Sequence, residues 1–220
     1  MSNKLSKWIF VPAAVLWFGG VALAQDTSSS RSSTQGSGTT TSTPAKQPTI
    51  AERKENQQDR IANGVKSGQL TAGETSNLES KEAAINGETR ADRAANGGKL
   101  TPAEKQQINQ QQNQLSKQIY QDKHNANTAH YGNNAVGQRR ENQQDRIAQG
   151  IKSGQLTAGE TAKLENQQKG INQQVKADRA ANGGKLTPGE KKQINKEQNA
   201  ASKNIYNKKH NANTQAGTKK

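Results

Sequence analysis

The chain has 220 residues, with 32 Lys and Arg against 18 Asp and Glu, no cysteine, and only 28% hydrophobic and 3% aromatic residues. The missing cysteines exclude disulfides and thiolate metal sites, and so few apolar side chains exclude a thick hydrophobic core. A formal net charge of +14 favours anionic partners.

Lys4 and Lys7 precede an uncharged stretch from Trp8 to Ala24, which closes on Ala22-Leu23-Ala24 before Gln25. A basic start, an apolar middle and a small-x-small end form the pattern of a cleaved export signal. Residues 1–24 therefore read as a signal peptide, and the mature chain as secreted or periplasmic. The apolar run is short for a membrane span and is interrupted by Gly19-Gly20. Residues 25–48 are Ser, Thr, Gly, Gln and Pro with almost no apolar side chain, a composition that cannot offset the entropy of ordering, and they read as a disordered linker.

The rest is a duplication. Residues 53–128 align with 139–214 without a gap at an offset of 86, and 53 of the 76 positions are identical. ENQQDRIA recurs at 55 and 141, SGQLTAGET at 67 and 153, ADRAANGGKLTP at 91 and 177, and KHNANT at 123 and 209. One structural unit occurs twice, so the expected layout is a module over 49–128, a connector over 129–138, a second module over 139–214 and a basic tail over 215–220. The charges of the copies differ. Residues 49–128 carry 11 basic and 10 acidic side chains, and 139–214 carry 15 and 7. Glu82 is matched by Gln168, Ala83 by Lys169, Gln106 by Lys192 and Asp122 by Lys208.

Within each copy the apolar residues keep helical spacing: Ile61 and Val65, then Ile108, Leu115 and Ile119, and in the second copy Leu164, Ile171 and Val175. Thr71 with Glu74 and Thr157 with Glu160 form capping boxes, in which the hydroxyl accepts a first-turn amide and the carboxylate reaches back. Thr101 with Glu104 and Thr187 with Glu190 add a proline at the first helical position. Asn63-Gly64, Asn96-Gly97, Gln149-Gly150 and Asn182-Gly183 supply residues that tolerate the left-handed conformation at a helix end. The first copy is thus expected to hold helices at about 50–63, 72–96 and 102–122, the middle one continuous through Asn86-Gly87. The fold class is all-α, two tandem three-helix modules after the linker. Tyr120 and Tyr206, next to Ile119 and Ile205, are expected at the core edge.

The turns share a further pattern, DR-x-ANG followed by G-[QK]-L-T-[AP]-x-E, beginning at Asp59, Asp92 and Asp178, and at Asp145 with Gln149 in place of the Asn. Its second half, Gly98-Lys-Leu-Thr-Pro-Ala-Glu104, resembles the end of an EF-hand calcium loop. There a glycine turns the chain and a final glutamate binds the ion through both oxygens. The resemblance implies helix-loop-helix units of degenerate EF-hand type, with Glu74, Glu104, Glu160 and Glu190 as the final ligands and calcium as the ion. The early ligand positions before Glu104 hold Arg93, Ala95 and Gly97, and those before Glu74 hold Asn63, Val65 and Ser67, so each loop offers a hard cation at most one carboxylate. Capping accounts for the four glutamates without a metal, and the reading without a cofactor stands first.

No nucleophile elbow, HExxH or phosphate loop occurs, which points away from an enzyme. The composition supports a non-catalytic interaction protein whose basic second copy contacts an anionic polymer, a membrane surface or an acidic protein. Lys169, Lys176, Lys191, Lys192 and Lys196 are the candidate contact residues. A calcium-responsive module is the alternative.

Overall fold

A computed structural model of the chain describes residues 47–215. The segment read as a signal peptide, nearly all of that read as a linker, and residues 216–220 of the expected basic tail lie outside the described residues. Among those described there are six α-helices and no strand: α1 (Ile50–Lys66), α2 (Ala72–Ala95), α3 (Pro102–Lys123), α4 (Ala135–Lys152), α5 (Ala158–Ala181) and α6 (Pro188–Lys209). No helix among them is long and apolar enough to cross a membrane.

The helix starts follow the capping chemistry. Thr71, Thr101, Thr157 and Thr187 are N-caps in complete capping boxes, and Thr49 with Glu52 forms a fifth at the head of α1. Both middle helices run unbroken for 24 residues. Two boundaries differ from expectation. The second copy begins inside the connector, because Asn134 caps α4 by accepting from the Gly137 amide. Helix α1 does not stop at Asn63-Gly64 but continues to Lys66, and α4 likewise passes through Gln149-Gly150 to Lys152. The left-handed residues that follow these two helices are Gly68 and Gly154.

Gly64 and Gly150 therefore serve close packing inside a helix, not helix termination. A β-carbon on Gly64 would lie 2.7 Å from Cγ and Cδ1 of buried Leu70, and one on Gly150 would lie 2.6 Å from the same atoms of Leu156. Gly64→Ala is expected to lower unfolding stability by about 1–2 kcal/mol, since overpacking outweighs the gain in helix propensity. Gly170→Ala, a mid-helix position with open space around it, is expected to raise stability by about 0.5–1 kcal/mol. Urea unfolding of both variants checks the contrast.

The two copies share one core. The broadest helix contacts are α2 with α5 and α1 with α4, each joining an element of the first copy to its counterpart in the second. One apolar cluster combines Ile61, Val65, Leu78, Ile108, Leu115 and Ile119 of the first copy with Ile147, Ala148, Ile151, Leu156, Leu164 and Ile205 of the second. A smaller cluster at the far end of the second copy holds Val136, Ile171, Val175, Leu186, Ile194 and Ala201. Ala201 stands where the first copy has Leu115, and the lost bulk accounts for the separation.

Matched residues meet between α2 and α5, as in a twofold dimer interface. The Ser76 hydroxyl donates to the carbonyl of Ala162, its counterpart in the repeat, at 3.0 Å. Glu79 and its counterpart Glu165 are both fully buried and interact electrostatically.

Much of the inner surface is polar. Gln57 Nε2 donates to the Gln112 carbonyl at 2.6 Å and to Ser116 Oγ at 2.8 Å, and Gln143 repeats both bonds with Gln198 and Ser202. Gln112 and Gln198 reach back to the carbonyls of Ile50 and Val136. These side-chain bonds tie the first helix of each copy to the third, and they give the repeated ENQQ segment a structural role.

Candidate functional site

The four glutamates of the EF-hand-like turns are committed to their own chain. Glu74 Oε2 accepts from the Thr71 amide and hydroxyl at 2.9 and 2.7 Å, while Oε1 accepts from Asn125 and Asn127 at 2.8 and 3.1 Å. Glu160 repeats the arrangement with Thr157, Asn211 and Asn213, and Lys208 lies 3.6 Å from its Oε1. The repeated KHNANT segment thus locks the capping glutamate at the head of the middle helix. Glu104 and Glu190 each accept from the cap threonine amide and from the asparagine ending the preceding helix, Asn96 and Asn182. Burial pushes the Glu74 carboxyl upward, but the bonds from Thr71, Asn125 and Asn127 outweigh it and hold the group below the usual carboxylate range. No group of three or more His, Asp or Glu among the described residues is placed to hold a metal ion.

The five candidate lysines fall into two groups. Lys191, Lys192 and Lys196 are exposed on the first turns of α6 and line one shallow groove. Lys169 and Lys176, on α5, line a different cleft of about 600 Å³, together with Arg140 of α4 and Arg179 of α5. The rest of the wall is the N-terminus of α2, Thr71 to Gly73, with Thr128 and the connector residues Ala129 to Tyr131. Four cationic side chains and His130 face this space, and no carboxylate lines it.

The connector is held in place by close packing. A β-carbon on Gly137 would lie 1.9 Å from the Tyr131 carbonyl oxygen, so only glycine there lets the Tyr131 backbone rest on α4. The Tyr131 ring then sits under the Arg140 guanidinium, 5.3 Å from centroid to Cζ, an arrangement attractive for a desolvated cation. Burial, and after it the charge of Glu165, raises the Tyr131 hydroxyl well above its ordinary pKa.

The repeat produces a second, matched cleft of about 540 Å³ between α1, α2 and the head of α5, lined by Lys54, Arg90 and Arg93 beside Thr157, Ala158 and Gly159. The two differ at their helix ends. In the second cleft Gln215 Oε1 accepts from the Ala158 amide at 3.2 Å. In the first, the residue matching Gln215 is Ala129, whose side chain brings no acceptor to the Ala72 amide.

A third polar feature lies beneath the clefts. Gln58 donates to Glu79 at 3.1 Å and Gln144 to Glu165 at 2.9 Å, and the remaining oxygen of each carboxyl is buried without a partner. Burial pushes Glu165 up to about 8 against the Gln144 bond. Burial also raises Glu79 well above the carboxylate range, opposed by Gln58 and helped by Glu82 and Glu165. Glu82 is raised to about 7 by burial, with Lys54 opposing. At neutral pH Glu165 is therefore held mainly as a neutral acid.

Tyr120 and Tyr206 are not at the core edge. They are 61% and 59% exposed, and each ring stacks on the histidine one turn later, His124 or His210, at 4.2 Å between centroids.

Among the described residues, fold and site together define an all-α protein with matched helices packed across its core and a basic cleft with no carboxylate in its wall. The chain matches no protein-family model, no curated protein and no solved structure.

Proposed function

We propose that the chain is an exported, non-catalytic interaction protein in which two three-helix copies act as one body and the second copy contacts an anionic partner. The observation that supports this reading is the gathering of Arg140, Lys169, Lys176 and Arg179 around one cleft with no carboxylate in its wall. The exposed lysines of α6 extend the same sign of charge along the second copy. Such a surface raises the local concentration of anionic partners and speeds encounter.

The test exchanges second-copy lysines for their first-copy counterparts. Lys208 is left alone, because it neighbours the capping carboxylate Glu160. The triple variant Lys169→Ala, Lys192→Gln and Lys196→Gln is expected to keep its helicity and elute from a heparin column at lower salt. The dependence of log affinity on log salt should flatten by about 2–3, at about 0.7–0.9 for each of the three lost contacts. Retention equal to that of the parent chain overturns the reading.

A further inference from the structure

The copies treat one matched cation differently, half-buried as Lys54 in the first and buried as Arg140 in the second. In the first, Lys54 interacts with the acid Glu82. In the second, the matched pair is Arg140 and Gln168, so the cation is kept and its acid is replaced by an amide. Arg140 is only 9% exposed, its Nε has no partner, and it makes no hydrogen bond or ion pair within the described residues. Tyr131, over which it stacks, supplies a ring face and no charge. A guanidinium cannot shed its charge, and an uncompensated buried charge is costly.

Three further observations converge on the same space. The hydroxyl of Tyr131, a residue lining this cleft, is a buried donor without a partner. The head of α2 faces the cleft, and the Ala72 amide lacks the glutamine that engages Ala158 in the matched cleft. Helix amides with a guanidinium opposite form an arrangement suited to a tetrahedral oxyanion, whose oxygens accept from several directions at once. Lys169 closes the space from above: a β-carbon on Gly73 would lie 3.6 Å from its Cδ.

We propose that the cleft between the head of α2 and the α4–α5 pair is a binding site for a phosphate or sulfate group, with Arg140 as the buried anchor and the Ala72 and Gly73 amides as the facing donors. Lys169, Lys176 and Arg179 neutralise the rest of the ligand's charge. The matched cleft, with the Lys54–Glu82 interaction retained and Gln215 at its helix head, is a closed counterpart. The proposal rests on the anionic-partner reading and narrows it to one group chemistry at one place.

The experiment is a titration of the full chain with inorganic phosphate, inorganic sulfate and acetate in low-salt buffer, followed by amide NMR. Phosphate or sulfate is expected to move the Ala72 and Gly73 resonances saturably, with a dissociation constant below about 1 mM. The Ala158 and Gly159 resonances should move little, and the stronger of the two tetrahedral ions identifies the group. Gln168→Glu, which restores the internal acid, should weaken binding at least about tenfold, and Arg140→Lys, which keeps charge but loses the fork, at least about threefold. Lys169→Ala, at an exposed position, guards against a folding defect and should weaken binding by about threefold. Non-saturating shifts, equal shifts at both helix heads, acetate binding as tightly as either tetrahedral ion, or indifference to Gln168→Glu overturns the site. Heparin retention that survives such a failure leaves the broader polyanion reading standing, so the two can fail separately.

Discussion

Cut at the connector, residues 45–133 and 134–220 are each expected to lose most of their helical signal at micromolar concentration, and to recover it on mixing as a one-to-one complex. A chain half this length, with so few large apolar side chains, has little to offset its ordering entropy. Here its apolar stripe is completed by the other copy: Ile61 and Leu78 belong to the same cluster as Ile147 and Leu164. Separation would also expose the α2 and α5 surfaces carrying Ser76, Glu79, Ala162 and Glu165, all of them buried in the intact chain. Far-ultraviolet circular dichroism with sedimentation velocity on each half and on the mixture decides the matter. A homodimer formed by either half would agree with the shared face. Two monomeric halves, each as helical and as resistant to urea as the whole, would refute it.

The second large effect is expected from the buried acids. A carboxyl whose folded pKa is raised binds more protons folded than unfolded, so it costs stability as the pH rises from its unfolded to its folded value. For Glu165 that window runs from about 4.5 to about 8, and for Glu82 from about 4.5 to about 7. The capping glutamates act in the opposite sense. Their lowered values mean that the stability they contribute is present above about 4.5 and is lost as the pH falls through the folded value. Stability should therefore peak in mildly acidic solution and decline toward pH 8. The double variant Glu79→Gln and Glu165→Gln keeps acceptors for Gln58 and Gln144 but cannot ionise. It is expected to be more stable than the parent at pH 8, by about 4 kcal/mol through Glu165 with a further gain in the same direction from Glu79, and nearly equal to it at pH 4. Thermal unfolding across that range measures both, and a variant less stable than the parent at pH 8 would show that the carboxyls have charged partners after all.

Local chemistry was largely legible in the chain itself. The threonine caps, the unbroken middle helices and the turns at Asn96-Gly97 and Asn182-Gly183 depend on neighbours within a few residues, and they stand where the spacing puts them. What packs on what was not legible. Hydrophobic periodicity takes an Asn- and Gln-rich face for a solvated one, yet Gln57, Gln58, Glu79 and Gln168 are buried and line contacts between helices. The same limit hid the cleft. Lys169 and Lys176 stand out by composition, but Arg140 and Arg179 join them only through the packing of α4 and α5 beside the head of α2. The exchange of Glu82 for Gln168 was visible as a difference between copies, and it gained meaning once Lys54 and Arg140 were placed. Gly64 misled because a glycine in close contact and a glycine ending a helix look alike in sequence, and only the position of Leu70 separates them.

The pairing of α1 with α4 and of α2 with α5 also sets a timetable for folding. Every α1–α4 and α2–α5 contact joins segments lying near one repeat length apart along the chain, the non-local kind of contact that slows folding. At ribosomal speeds of about 5–20 residues per second, the first copy waits roughly 4–17 s for its partner helices to be made. During that interval its future interface meets water or other chains. An interface that sets Ser76 and Glu79 among a few aliphatic side chains can wait in water without offering a continuous apolar strip for aggregation. The polarity that thins the finished core protects the unfinished one.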